Sequence, residues 1–382
     1  MKEKSNSLRI LIPIMLSFFV MGLVDLVGVS TNYVKNDFSL DNFSASIFPM
    51  MVFLWFAVFS IPTGLLMGRI GRKKTVSIAI FITIVALLIP YLDYNYYVLI
   101  IAFALLGIGN TMLQVSLNPL VASIVANNRL ASTLTFGQFV KAMASFMGPV
   151  VTSFAAKQFG DWRLAFVAFA VMSLLTLAWI NFTPINEEKE NALSSFQNTL
   201  KLLKDRFILK LFLGILLIVG IDVCMNTYTP ALFGQRLGMH VDDAALGSSL
   251  YFASRTIGAF LGAFLLMKFS PSSFLKTNMI AAIAAFLILM FTAQQWSLFA
   301  GVVLVGFTCA NVFSIIFTVA LQYKKGQTNE VSSLMVIGVA GGAIVTPIVG
   351  LVADKSGLAG GFGLLFLCSV YLFYLSFTLS KR

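Results

Sequence analysis

Long apolar stretches fill most of this chain, and polar residues gather in short clusters between them. An α-helix needs roughly 20 mainly apolar residues to cross the hydrocarbon of a bilayer. Twelve stretches qualify: 9–34, 44–67, 75–93, 97–125, 132–157, 162–182, 208–234, 243–268, 272–293, 296–322, 330–352 and 359–379. The pattern predicts an all-α integral membrane protein with twelve transmembrane helices. Most connections are short. The exception, 183–207, reads "TPINEEKENALSSFQNTLKLLKDRF". It is charged, and from Ser194 its pattern predicts an amphipathic helix lying on the membrane surface. It separates a six-helix bundle over 1–182 from a second over 208–382. The opening "MKEKSNSLRILIPIMLSFFVMGL" resembles a signal peptide, but its apolar run is too long and no small-residue cleavage site follows, so a retained first span is expected.

The two bundles echo each other. Asp25 in span one and Asp222 in span seven lie at similar depths, each after a glycine (Gly22, Gly220) and before an asparagine (Asn32, Asn226). Span five, "STLTFGQFVKAMASFMGPVV", parallels span eleven, "SSLMVIGVAGGAIVTPIVG"; the end of span two, "PTGLLMGRIGRKK", parallels that of span eight, "GAFLGAFLLMKFSP". Two pseudo-symmetric bundles suggest alternating access around a mid-membrane binding site where the repeats meet.

Basic residues orient the chain. With both termini in the cytoplasm, 19 of the 26 Lys and Arg residues fall inside and five (Lys35, Lys157, Arg163, Arg236, Lys355) outside. The net charge of +11 is therefore mostly a topological signal rather than a sign of nucleic-acid binding. A multi-pass protein of a bacterial cytoplasmic membrane, working as a monomer, is expected. Composition agrees: 59% of residues are hydrophobic and 11% charged, against about 25% charged in soluble chains. Cys224, Cys309 and Cys368 sit in apolar runs and read as small hydrophobes, and a lone His240 makes a zinc site improbable. No G-x-x-x-x-G-K-[ST] loop is present, which argues against an ATP-driven pump.

The two remaining cations, Lys141 and Arg255, fall inside predicted spans together with Asp25 and Asp222. A charge near the bilayer centre costs at least about 2.5–3.5 kcal/mol on insertion scales. Two readings accommodate these four residues: neutralising ion pairs that hold helices together, or groups lining a hydrated cavity. A pair that forms in one state and breaks in another satisfies both. Asp25 is the sharper candidate for ion coupling, because a partly desolvated carboxylate has a raised pKa and a neighbouring Lys lowers it. It is also a possible oxygen ligand for Na⁺. Asn110, Gln114 and Asn118 recur every four residues, so they share one face of span four. Their amides match the hydroxyls of a polar solute, or else bond helix to helix. Gln138, Lys141 and Ser145 make a second stripe on span five; Asn311, Ser314 and Thr318 make a weaker one on span ten. Asn226 and Tyr228 extend the Asp222 neighbourhood, and Tyr251 accompanies Arg255. Phe48, Trp55, Phe136 and Tyr228 are candidate stacking faces for a sugar ring, though simple packing is the commoner role. Trp162 and Trp296 mark membrane interfaces. The basic turn "GRIGRKK" at 68–74 serves topology or latches helix ends in one state.

These motifs resemble the major facilitator superfamily and, within it, the fucose/glucose/galactose permease branch. "GIGNTMLQVSLNP" resembles the branch's span-four pattern, and "VGIDVCMNTYTP" its span-seven segment, where a glutamate usually stands in place of Asp222. "SLYFASRTIGAFLGAFLLMKFSP" and "SSLMVIGVAGGAIVTPIVGLVAD" resemble spans eight and eleven. Gly68 replaces the acid of the superfamily's loop between spans two and three. Gln114 replaces the branch's span-four acid, and Gly28 its span-one acid, with Asp25 one turn away. The resemblance implies the major facilitator fold and cation symport of a monosaccharide by H⁺ or Na⁺, with no other cofactor and no enzymatic activity. Lys141 and Arg255 are additions to that pattern and suit an anionic sugar or organic acid. An exporter of amphipathic compounds and a non-transporting receptor are the other readings.

Overall fold

A computed structural model of the chain describes residues 2–40, 42–185, 187, 196–239 and 246–380. Among these there are helices and turns and no strand. The N-terminal half contains α1 (Lys2–Gly22), α2 (Leu26–Asp37), α3 (Asn42–Ile70), α4 (Arg72–Leu92), α5 (Tyr96–Ala122), α6 (Leu130–Phe159) and α7 (Leu164–Phe182). A short α8 (Phe196–Lys201) lies in the linker. The C-terminal half contains α9 (Arg206–Leu237), α10 (Leu246–Leu265), α11 (Pro271–Phe291), α12 (Gln295–Cys309), α13 (Val312–Tyr323), α14 (Thr328–Ile337) and α15 (Gly341–Ser380). Ser194, Lys189 and His240 lie outside the described residues, as does the side chain of Asn32.

Ten helical stretches among the described residues are long and apolar enough to cross a membrane. One of them, Lys325–Leu379, has 55 residues. At 1.5 Å per residue that is about 80 Å, more than twice the hydrocarbon thickness of about 30 Å. Gly357, at φ 73°, breaks it into two spans. The division adds an eleventh span and α10, a 20-residue helix made less apolar by Arg255 and its serines, supplies the twelfth. Spans one, ten and eleven are each interrupted: by a 3₁₀ turn at Leu23–Asp25, between Cys309 and Val312, and by a 3₁₀ turn at Gly338–Ala340. Such mid-span breaks often mark hinges or functional positions.

Helix ends follow capping chemistry. Asn95 Oδ1 accepts the Val98 N–H at 3.0 Å, and Asp205 Oδ1 accepts the Phe207 N–H at 2.9 Å. Ser270 caps α11 ahead of Pro271. At the far end of α11, Arg236 donates to the carbonyls of Leu289 (2.9 Å), Met290 (2.7 Å) and Thr292 (2.5 Å). One guanidinium thus satisfies three groups that the helix leaves open.

Two compact units emerge from the packing. The first comprises Met1–Ala126, Gly137–Lys201 and Lys324–Ile337; the second comprises Asn127–Phe136, Leu202–Tyr323 and Gly338–Arg382. Each unit includes a short segment from the other half of the sequence. In the first unit, α14 is tied to the "GRIGRKK" turn. Arg72 is only 6% exposed, and its Nε donates to Asn329 Oδ1 at 3.0 Å while Nη2 donates to Thr328 Oγ1. Glu187 accepts the backbone N–H groups of Arg72 and Lys73, both at 2.6 Å, placing a carboxylate on the N-terminus of α4. Ser332 Oγ donates to the Val115 carbonyl at 2.5 Å. In the second unit, Ser132 Oγ donates to the Ala263 carbonyl at 2.6 Å. At the opposite end of the first unit, the Tyr94 hydroxyl donates to Asp37 Oδ2 at 2.5 Å. Burial first, and the bond to Asp37 second, hold that phenol well above its ordinary pKa. Trp162 stacks on Tyr33 at 5.1 Å and donates to the same carboxylate oxygen at 3.3 Å.

Replacing Arg236 by Ala removes the α11 cap. With hydrogen bonds to charged groups worth about 1.5–3 kcal/mol each net of the exchange with water, the detergent-purified protein is expected to lose at least a few degrees of apparent melting temperature. Arg236→Lys, lacking the planar fork, recovers only part of it. An unchanged melting curve for Arg236→Ala would show that water satisfies these carbonyls equally well.

Candidate functional site

The intramembrane charges form two clusters, one in each unit. In the first unit, Asp25 ends the 3₁₀ turn that interrupts span one. The turn follows Gly22, whose bare Cα lies against α6: a side chain there would run into the Lys141 carbonyl oxygen and Ala144 Cβ. This close approach brings the Asp25 carboxylate to Ser145, whose Oγ donates to Asp25 Oδ2. The Lys141 carbonyl, 3.1 Å from the same Oγ, is the alternative acceptor for its single proton. Ser145 can therefore release the carboxylate by turning back to its own helix. Lys141 lies one turn before Ser145 and Gln138 three residues earlier, all partly exposed on α6, while Asp25 itself is exposed.

In the second unit, Asp222 on α9 is held from two directions. Arg255 Nη2 donates to its Oδ2 at 2.6 Å, and the Tyr251 hydroxyl donates to its Oδ1. Tyr251 is fully buried; the side chains of Arg255 and Asp222 are 33% and 13% exposed. Gly306 allows this arrangement, because a Cβ there would press on Ser254 Oγ and, at 2.7 Å, on the Tyr251 carbonyl, so α10 packs tightly on α12. Arg255 and Tyr251, four apart on α10, both point at one carboxylate.

The amide stripe of α5 is buried, with Asn110 3%, Gln114 4% and Asn118 2% exposed. Asn118 Nδ2 donates to the Gln114 backbone carbonyl at 3.1 Å, and the side-chain oxygens of all three residues accept no hydrogen bond from the protein. Asn311 sits in the break between α12 and α13, against α10, where its Nδ2 donates to the Gly258 carbonyl at 3.1 Å and its amide fills the space left by Gly262. Asn226 is exposed on α9, with its backbone carbonyl accepting from Ser248 Oγ at 2.7 Å. The Tyr228 hydroxyl donates to the Thr346 carbonyl at 3.1 Å. Phe48 is a core residue, packed edge-on against Tyr96 and Phe103. The arrangement thus brings Asp25 to Ser145, on the helix face that also carries Lys141 and Gln138, gathers Asp222, Arg255 and Tyr251 at a second place, and lines up three acceptors on α5. Sequence reasoning missed Thr346 as the anchor of Tyr228, because that contact depends on how α9 packs on α15.

A sequence model described as "Major Facilitator Superfamily" matches residues 13–347. A "Putative glucose/galactose transporter" of Helicobacter pylori (strain ATCC 700392 / 26695) is 25% identical over 399 residues, covering 98% of this chain and 97% of the relative. The "L-fucose-proton symporter" of Escherichia coli (strain K12) is 22% identical over 395 residues, covering 93% and 90%. Among solved structures, FucP in the outward conformation superposes with a TM-score of 0.86 at 19% identity, covering 98% of this chain and all of that one. These likenesses agree with the twelve-span all-helical architecture.

The Asp222–Arg255 pair has a measurable signature. Removing one partner strands the other charge at depth, which typically costs more than the intact pair gains. Arg255→Gln alone is expected to destabilise the purified protein markedly, and the double variant Asp222→Asn/Arg255→Gln to regain most of the loss in a double-mutant cycle. Strictly additive losses would contradict a direct coupling.

Proposed function

The chain belongs to the Major Facilitator Superfamily, and from that premise we propose that it imports a monosaccharide by H⁺ symport with alternating access. The names of its relatives support the solute class and the proton. The observation that carries the coupling proposal is the exposed Asp25 carboxylate beside a serine hydroxyl with two alternative acceptors. An ionised Asp25 opposes closure of its surroundings, since a bare charge at bilayer depth costs about 2.5–3.5 kcal/mol or more. Protonation removes that charge, and a bound solute supplies the remaining hydrogen bonds. A proton moving down 100 mV releases about 2.3 kcal/mol, enough for roughly 40-fold solute accumulation at 1.4 kcal/mol per decade.

In this proposal Asp25 and Lys141 carry ion coupling in the first unit, and Asp222 tunes it in the second. Asn110, Gln114, Asn118, Gln138, Asn226, Tyr228, Arg255 and Asn311 offer hydrogen bonds to the solute or to the water that precedes it. The three unbonded side-chain oxygens on α5 are acceptors in waiting for hydroxyls. Na⁺ at Asp25 is the alternative coupling ion. Residues 1–182 and 208–382 act as the moving bundles and 183–207 as their linker, with the protein a monomer in a bacterial cytoplasmic membrane. The inside excess of Lys and Arg supports cytoplasmic termini. The Arg72–Glu187–α14 clamp then lies at the cytoplasmic face.

A second reading, transport of an anionic sugar or organic acid, draws on the partial exposure of Arg255. Its guanidinium is already neutralised by Asp222, which favours the uncharged solute.

The test is proteoliposome transport of D-glucose, D-galactose and L-fucose by wild type and Asp25→Asn. Loss of gradient-driven uptake with retained counterflow is expected. Unchanged concentrative uptake would remove Asp25 from coupling. Accumulation of hexuronates in preference to neutral sugars would favour the second reading, and efflux of amphipathic dyes with no sugar transport would favour an exporter.

A further inference from the structure

α9 has 32 residues, so it extends about 48 Å, well beyond the hydrocarbon thickness of about 30 Å. Its last turns therefore reach the interface, and there they border a cavity of about 520 Å³ within the second unit. The cavity is lined by Tyr228, Ala231 and Gln235 from α9 and by Gly350, Asp354 and Gly357 from α15. Its volume falls in the range of small-molecule sites, about 300–1,000 Å³. Gln235 lies 13 residues beyond Asp222, about 20 Å along the helix, so this is a place distinct from the Asp222–Arg255 cluster.

The wall chemistry is specific. One side is the Tyr228 ring, held by its hydroxyl bond to Thr346 and pressed against Gly350, where a Cβ would lie 2.7 Å from the phenol oxygen. Ala231, Ala353 and Leu358 supply its apolar lining. Further along the same face of α9 is an exposed primary amide, Gln235, and α15 contributes an exposed carboxylate, Asp354. Gly357 closes the rim in a positive-φ turn that L side chains rarely adopt. A flat ring, a carboxylate that accepts from two hydroxyls and an amide that both donates and accepts match a polyhydroxylated ring with one apolar face. A single carboxylate supplies too few oxygens for a divalent cation.

We propose that this cavity is an interfacial capture site for a neutral monosaccharide, occupied before the sugar reaches the intramembrane clusters. The proposal rests on the sugar-transport reading above. Captured sugar loads the transporter at low concentration, and the site plays no part in coupling.

The experiment is initial-rate uptake of radiolabelled D-galactose, D-glucose and L-fucose in cells. It compares wild type, Asp354→Asn, Gln235→Ala and Ala231→Phe, the last filling the cavity from an exposed position without altering a polar group. Each variant is expected to raise KM about five- to tenfold while holding kcat within twofold, and to leave proton-coupled accumulation at saturating sugar intact. Wild-type KM in all three variants, with sugar transported, overturns the capture site and leaves the transport reading standing. A Na⁺-dependence of uptake lost only in Asp354→Asn, with sugar KM unchanged, overturns it in favour of a cation site. Absence of transport of all three sugars by wild type overturns the transport reading and this site with it.

Discussion

A charge placed near the centre of the bilayer must have a partner, water, or both, and Asp222, Arg255 and Asp25 each meet that demand in this protein. Asp222 meets it with Arg255 and Tyr251, a compact set in which a buried phenol and a partly exposed guanidinium share one carboxylate. Asp25 meets it more loosely, with a serine whose proton has another acceptor within reach. The contrast is informative. One carboxylate is shared by a cation and a tyrosine, and the other meets a serine hydroxyl that can turn away. In the proposed function the first tunes the electrostatics and the second carries the coupling ion.

Neither cluster would form without close helix contacts. Gly22 and Gly306 are the positions at which a side chain would push apart the helices that carry Lys141 and Tyr251. Small residues at helix crossings are the usual route to tight association in lipid, where no hydrophobic force draws helices together. The same economy appears at the helix ends, where Arg236, Lys73, Glu187 and Asp205 each satisfy backbone groups that lipid would leave unmet. Lys73 Nζ, for instance, donates to the carbonyls of Asn181 (3.0 Å) and Thr183 (2.8 Å) at the end of α7. Gly68 stands where related loops carry an acid, and Glu187 supplies a carboxylate to the adjoining helix terminus from the linker instead.

Much of the fold was legible from hydropathy, because every lipid-crossing helix must be about 20 residues long and mainly apolar, and all twelve predicted spans have helical counterparts. Arg255 was found as an intramembrane charge, although the helix that bears it is the one left out of the ten stretches recognised by length and hydropathy alone. The breaks within spans one, ten and eleven were not legible, since a 3₁₀ turn leaves the apolar pattern intact. The pairing of Asp222 with Arg255, rather than with Lys141, follows from the packing of α9 on α10, and spacing along the chain does not encode it. Asp354 and Gln235 were passed over because each lies at a span end, where a polar residue is ordinary. Only their convergence across two helices makes them a pair.

Polar groups at membrane depth survive here by access to water and solute. Thiol labelling tests it most directly. In a chain whose three native cysteines are replaced, Ser145→Cys places a probe beside Asp25. In membranes, a charged, membrane-impermeant maleimide is expected to modify it, and D-galactose or D-glucose to slow the reaction. Modification only by an uncharged, lipid-soluble maleimide, at a rate indifferent to sugar, would contradict the account.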